Sequence, residues 1–327
     1  MRKLFLAVLL VLAPAGPAAA FGSDEAGGSG ATFLKLGADA RAAGMANAVS
    51  ASAEDATSVF WNPAGLALLR YRHVAVSHAA GYQSSFREFL AFAHPLEGPR
   101  SKNPRERELQ PDQLGAVAVG VLYHNSGRLN EIDNTGTTTG RSFTPQDLAA
   151  MIGWGATIAR GFDVGVTAKY VATQIQDTAA TGAADLGARW RTQLYATEVD
   201  YALAVVVRNV GGKLKFHDSS DPLPMTIVVG QAVRPWKSMT LTADLIAPRD
   251  RPVYPSAGVE WRSPMSSGMS TSLRAGYDGR LKSSDFSGFK NVTVGGGIGF
   301  SRLSFDYAWA PGGELGDSQR LSLSYRF

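Results

Sequence analysis

From Tyr71 onward the chain runs in short segments whose apolar and polar residues alternate with period two. In 162–170, Phe162, Val164, Val166, Ala168 and Tyr170 share one face, and Asp163, Gly165, Thr167 and Lys169 share the other. In 303–309, Leu303, Phe305, Tyr307 and Trp309 oppose Ser304, Asp306 and Ala308. The pattern predicts fourteen strands, at 71–79, 85–93, 114–123, 147–159, 162–174, 183–191, 199–208, 224–234, 238–247, 255–262, 269–278, 290–301, 302–309 and 319–327. Their lengths are close to the roughly 9–11 residues that a tilted strand needs to cross a bilayer.

The polar faces carry charge: Asp163, Lys169, Asp185, Arg189, Asp200, Arg208, Asp244, Glu260, Arg262, Arg274, Asp278 and Asp306. Trp190, Trp261, Tyr277, Trp309, Tyr325 and Phe327 lie on the apolar faces near strand ends, as in the aromatic girdles of an outer-membrane barrel. Connection lengths also alternate. Arg160-Gly161, 235–237, 263–268 and Ser301-Arg302 are short, whereas 124–146, 209–223, 279–289 and 310–318 are longer. The connection 94–113 breaks this rule and reads as an inserted polar segment. Only closure satisfies every backbone group of a sheet in lipid. The expected fold is therefore an all-β membrane protein, a fourteen-stranded antiparallel outer-membrane β-barrel at 71–327. Lipid is its surroundings, and both termini are periplasmic.

Residues 1–70 have another texture. Arg2 and Lys3 precede the apolar run Leu4–Leu12 and the small-residue site Ala18-Ala19-Ala20, so 1–20 reads as a signal peptide. Residues 21–70 are rich in alanine and glycine with little period-two character, which predicts turns and short helices. Fourteen strands enclose a lumen too wide for wall side chains alone to fill. This segment is the natural plug, or hatch.

Composition narrows the functions. The 327 residues include no cysteine, which removes thiolate sites and thiol nucleophiles. The net charge of +4 is scattered rather than gathered into a stripe, so no nucleic-acid partner is expected. His73, His78, His94, His124 and His217 have no zinc-site spacing, and no Ser/His/Asp set can be assembled. No catalytic residue, metal or cofactor is expected.

The stretch FLKLGADARAAGMANAVSASAEDATSVFWNPAGLA resembles the N-terminal signature of PorV/PorQ-type outer-membrane proteins. The likeness continues in order through AADLGARW, VVVRNVGGKLKF, LPMTIVVG, SAGVEWR and SLRAGYD. Asn62-Pro63-Ala64 resembles the NPA motif in the plug of the wider superfamily of FadL-like hydrophobic-compound channels, which has fourteen-stranded barrels. One departure is that the family commonly has glycine where this chain has Ala46 and Asn47. The resemblance implies a role in protein secretion of the type IX kind, with secreted cargo and secretion-complex subunits as partners. The superfamily implies passive uptake of a hydrophobic small molecule instead, and a structural scaffold of a surface complex is a third reading. The polar segment 124–146 lacks an apolar floor and favours protein partners.

Several residues then become candidates. The Asn62 amide either holds the plug shut or caps a helix begun by Pro63. Asp39, Arg41, Glu54 and Asp55 either pair with lumen charges such as Arg189, Arg208 and Arg274 or are hydrated in the pore. Gly115 and Gly120 in the third strand are placed for the lateral kink known in superfamily channels. Tyr325 and Phe327 end an alternating strand and resemble the signal read by the barrel-assembly machinery. Deleting Phe327 is accordingly expected to slow membrane insertion more than it lowers the unfolding midpoint of the assembled barrel. Insertion at the wild-type rate would refute that assignment.

Overall fold

The computed structural model describes residues 28–97, 113–132, 136–175, 177–194, 199–216, 220–265, 268–280, 290–311 and 317–327. The expected signal peptide, residues 21–27, most of 94–113 and parts of the longer loops lie outside the described residues. Among the described residues, fourteen antiparallel strands close into one barrel. They are β1 (His73–Ala80), β2 (Phe86–Glu97), β3 (Gln113–Asn125), β4 (Gln146–Ala159), β5 (Phe162–Gln174), β6 (Thr178–Leu194), β7 (Val199–Gly211), β8 (Thr226–Trp236), β9 (Met239–Pro248), β10 (Tyr254–Pro264), β11 (Met269–Asp278), β12 (Val292–Phe300), β13 (Leu303–Pro311) and β14 (Asp317–Arg326). Each strand pairs with its sequence neighbours, and β1 pairs with both β2 and β14. The closing seam runs from His73↔Arg326 to Ala80↔Gln319, and the Phe327 N–H donates to the Arg72 carbonyl at 3.0 Å.

The wall is inside out relative to a water-soluble protein. Ile152 and Leu186 are 61% and 55% exposed, whereas Asp163 and Asp185 are fully buried. The alternation read from sequence therefore puts charge in the lumen and apolar side chains on the outer face, as a bilayer requires. Aromatic residues ring both edges of that face. Trp190, Trp236, Trp261, Tyr325 and Phe327 lie at the end where the seam starts, here the terminal end, and Tyr277 and Trp309 lie toward the far end.

Connections at the terminal end are short at 160–161, 237–238 and 301–302. The far end holds 126–145 and 212–225, each with a small hairpin of its own: Leu129–Ile132 with Thr138–Phe143, and Lys213–Lys215 with Ser220–Pro222. Strand bounds differ most from expectation at β6, which starts at Thr178 rather than 183. Its first residues stay paired with β5 through Gln174↔Thr178. A strand that continues past the hydrocarbon zone keeps its ladder but has no need of an apolar face, so alternation understates its length.

The outer face yields a direct test. Ile152 lies midway along β4. Ile152→Arg should destabilise the barrel in lipid vesicles by about 2–4 kcal/mol if it sits near the bilayer midplane. Thr138→Arg, in an exposed far-end hairpin, should change stability by less than about 0.5 kcal/mol. Urea unfolding followed by tryptophan emission measures both.

Candidate functional site: the luminal segment and its seat

Residues 28–72 touch inward residues of strands all around the wall, which places them inside the barrel. The segment is a chain of short turns. Thr32–Lys35 is one 3-10 turn, α1 spans Ala40–Gly44, α2 spans Ser58–Trp61, and a second 3-10 helix spans Pro63–Leu68. Asn62 is extended (φ −159°, ψ 105°), as the residue before a proline must be. Its buried amide does two things. Oδ1 accepts from the Ala64 N–H at 3.0 Å and caps the 3-10 helix, and Nδ2 donates to the Ser50 carbonyl at 2.7 Å. The cap expected from sequence is present, and the second bond ties two turns of the same segment together.

The wall meets this segment on glycine. Gly155, Gly165 and Gly187 lie side by side in register on β4, β5 and β6. A Cβ there would come within 2.2 Å of the Pro63 oxygen, 2.3 Å of the Pro63 carbonyl carbon and 2.1 Å of Asn62 Oδ1. Across the lumen a Cβ on Gly230 would be 1.9 Å from Ser50 Oγ, and one on Gly276 would be 2.4 Å from the Ala46 nitrogen. Gly258 meets Met45, and Gly295 meets the Cα of Gly44. Backbone and wall touch where ordinary side chains would hold them apart. This belt was missed in the sequence. Its signal is a glycine at mid-strand inward positions of several strands.

Ala46 and Asn47 both have positive φ, 52° and 61°. Glycine would adopt that conformation without cost, whereas here two residues with side chains hold it.

Charged groups latch segment to wall. Arg41 donates two bonds to Glu260 on β10, at 3.1 and 2.9 Å. Glu260 also accepts from Arg274, and Arg274 reaches Asp306 at 2.7 Å. Arg189 lies 3.1 Å from Asp163 and 3.5 Å from Glu54, and donates to the Ala53 carbonyl. Ser50 donates its N–H and hydroxyl to Asp244.

The expected pairing needs correction at three residues. Asp39 caps α1 through the Ala42 N–H and accepts from Trp61 Nε1 at 2.7 Å, rather than pairing with a wall arginine. Asp55 turns back on the Thr57 N–H and hydroxyl. Short carboxylates satisfy nearby backbone donors before they reach across a lumen. Burial, with the charge of Asp55 added, pushes the Asp39 carboxyl above the usual carboxylate range. Arg208 stacks its guanidinium over the Trp61 ring at 5.7 Å.

Of the two glycines expected at a kink in β3, only Gly115 lies at a backbone irregularity. Gly115 has φ +88° at the irregular start of β3, close to the register shift between Pro95 and Glu97. Gly120 lies in a run that pairs on both sides without a break, with Ala91 on β2 and Met151 on β4. Its missing side chain makes room for Val59 of the segment instead.

The lumen has two characters. Toward the terminal end a cavity of about 950 Å3 is lined by polar groups, among them Ser272, Ser304, Ser322, Ser324, Arg41 and Glu260. On the other side, β2 and β3 present an apolar stripe in register: Phe89↔Leu122, Ala91↔Gly120, Ala93↔Ala118 and Pro95↔Ala116. Phe33, Val59, Phe60, Leu66 and Leu69 of the segment join its cluster. At the far end Leu214 and Leu223, from the 209–223 region, are buried in the same cluster, Leu214 beside Gly30 of the segment.

No family model matches the chain, and no curated protein matches it by sequence. Solved structures match in fold. A TodX variant described as a monoaromatic hydrocarbon channel is 11% identical, with 89% of this chain and 98% of that chain covered and a TM-score of 0.56. CymD, also described as a monoaromatic hydrocarbon channel, is 12% identical with the same coverages and a TM-score of 0.54. The Pseudomonas putida toluene transporter TodX is 11% identical, again with those coverages, at 0.53. These likenesses support the fold alone, a closed fourteen-stranded antiparallel β-barrel.

The glycine belt predicts a local effect. Gly187→Val should leave the barrel closed but unseat the Asn62–Ala64 turn, at a cost of about 1–3 kcal/mol for overpacking. Limited proteolysis should then cut within 28–72 at least fivefold faster, while the strands stay protected.

Proposed function

We propose that this chain is a passive channel for hydrophobic small molecules in the outer membrane, with residues 28–72 as its plug. The observation that carries this is the apolar stripe of β2 and β3, which runs along the lumen wall from Phe89 and Leu122 to Pro95 and Ala116. Luminal walls otherwise rich in charge and hydroxyls have little reason to keep a continuous apolar track unless something apolar follows it. The fold shared with channels described as carrying monoaromatic hydrocarbons and toluene supports the same class of solute. In this reading the far end, where Leu214 joins the apolar cluster, faces outward, and both chain termini face the periplasm.

Among the described residues, the protein-shuttling role implied by the PorV/PorQ resemblance finds no supporting observation in the site. The far-end hairpins are small, and Leu214 is committed to the lumen rather than to a partner surface.

Toluene uptake into vesicles containing the full chain should exceed that into empty vesicles, while a sugar of similar size should enter no faster. Ala118→Asp places a charge on the track and should cut toluene uptake at least fivefold. Ala118→Ser should retain most of it. Equal toluene uptake in protein-containing and empty vesicles would overturn the reading.

A further inference from the structure

Near the far end, two luminal arginines flank one small residue. Arg87 on β2 and Arg320 on β14 are both in register with Ala79 on the strand between them. Two strand spacings separate their backbones, about 10 Å. Both side chains are more than nine-tenths buried. Both reach the same neutral turn of the segment. Arg87 Nη1 donates to the Leu36 carbonyl at 2.9 Å and the Gly37 carbonyl at 2.8 Å, and Arg320 Nη2 also donates to Leu36.

Their charge is left uncompensated. Four other buried cations of the lumen have carboxylates: Arg41 and Arg274 have Glu260, Arg189 has Asp163, and Lys169 has Asp185, while Arg208 lies over the Trp61 ring. Among the described residues, neither Arg87 nor Arg320 has an ion pair. The charges that act on Arg87 are those of Arg320 and Arg280, both of its own sign. Asp39 is the carboxylate acting on Arg320, and its two oxygens are taken by Ala42 and Trp61. Arg87 Nε, Arg320 Nε and Arg320 Nη1 have no hydrogen-bond partner. Asn47 Oδ1 lies across Gly37, also unpartnered, but a neutral amide does not balance two cations. Buried charges without counter-charges are costly enough that proteins avoid them or bind an opposite charge.

We propose that Arg87 and Arg320 form an oxyanion-binding site at the far end of the lumen, which takes a carboxylate or phosphate group between the two guanidinium forks. An oxyanion brings the counter-charge that a carbonyl lacks and can accept two parallel bonds from one guanidinium fork. An arriving anion therefore competes with Leu36 and Gly37 for the same donors. The group is carried either by a free ion or by the head of an amphiphile whose tail meets the adjacent Phe89.

The test uses the full chain in a neutral detergent at constant ionic strength, with inorganic phosphate and monodecyl phosphate titrated separately and the melting temperature as readout. A saturable rise with one or both probes is expected. Arg320→Gln should weaken the apparent Kd at least tenfold, whereas Arg302→Gln, on an exposed terminal-end turn, should change it less than twofold. Saturation with both probes identifies a free-ion site, and saturation with monodecyl phosphate alone identifies a head-group site. In phosphate-free buffer Arg320→Gln should melt at or above the wild-type temperature, because it relieves repulsion between like charges. If it does not fold, Arg320→Lys keeps the charge, loses the fork, and should still bind more weakly than wild type. Saturation by neither probe, or a wild-type Kd in the arginine variants, would overturn the proposal.

Discussion

A closed wall of fourteen strands encloses more volume than its inward side chains occupy, and the luminal segment fits only because the wall lacks Cβ atoms where the two backbones meet. Gly155, Gly165 and Gly187 seat Asn62 and Pro63 on one side, while Gly230, Gly258, Gly276 and Gly295 seat residues 44–50 on the other. Close approach brings polar backbone groups of the segment within reach of wall side chains. Thr167 donates to the Val59 carbonyl, Thr293 accepts from the Ala46 N–H, and Ser256 donates to the Ala46 carbonyl. Without them, a segment made of short turns would bury many unmatched donors and acceptors. The belt and the satisfaction of the segment's backbone are therefore one constraint.

The same closeness governs the charges. A buried ion is tolerable only when it is paired and hydrogen-bonded. Arg41, Glu260, Arg274 and Asp306 meet that condition as a chain of contacts that crosses from segment to wall. Removing Glu260 would strand Arg41 and leave Arg274 to Asp306 alone, so its neighbours act as a unit. Arg87 and Arg320 are built differently, since they spend their donors on carbonyls and retain net charge.

Much of this was legible in the sequence, and the parts that were not share a cause. Period-two alternation is a property of each strand alone, so β5 and β13 could be read residue by residue. The inward position of Glu260 and Arg274 follows from the same alternation. Their mutual contact does not, because it depends on register between β10 and β11 and on where Arg41 sits. Asp39 shows the limit most clearly. Its type and position suit both an ion pair and a helix cap, and only the placement of Trp61 and Ala42 decides between them. The glycines were visible but ambiguous, since Gly120 and Gly165 look alike in a strand and differ only in what lies opposite.

The distribution of contacts around the segment also bears on how a solute passes it under the proposed reading. Toward β6 and β9–β11 the segment is held by ion pairs and directed hydrogen bonds, which lose most of their strength when stretched. Toward β2 and β3, apart from the Arg87 bonds to Leu36 and Gly37 at the far end, it is held by apolar packing of Val59 and Phe60. Hydrophobic contact is non-directional, and an apolar solute that wedges between two apolar surfaces replaces much of the contact it breaks. Parting the segment from the stripe thus costs least when the intruder is itself apolar. A charged or strongly hydrated solute would have to shed water at the same place with nothing offered in return. Selectivity for hydrophobic molecules needs no moving gate on this account, because it follows from the stretch of wall, from Phe89 to Pro95, where the segment is held by packing.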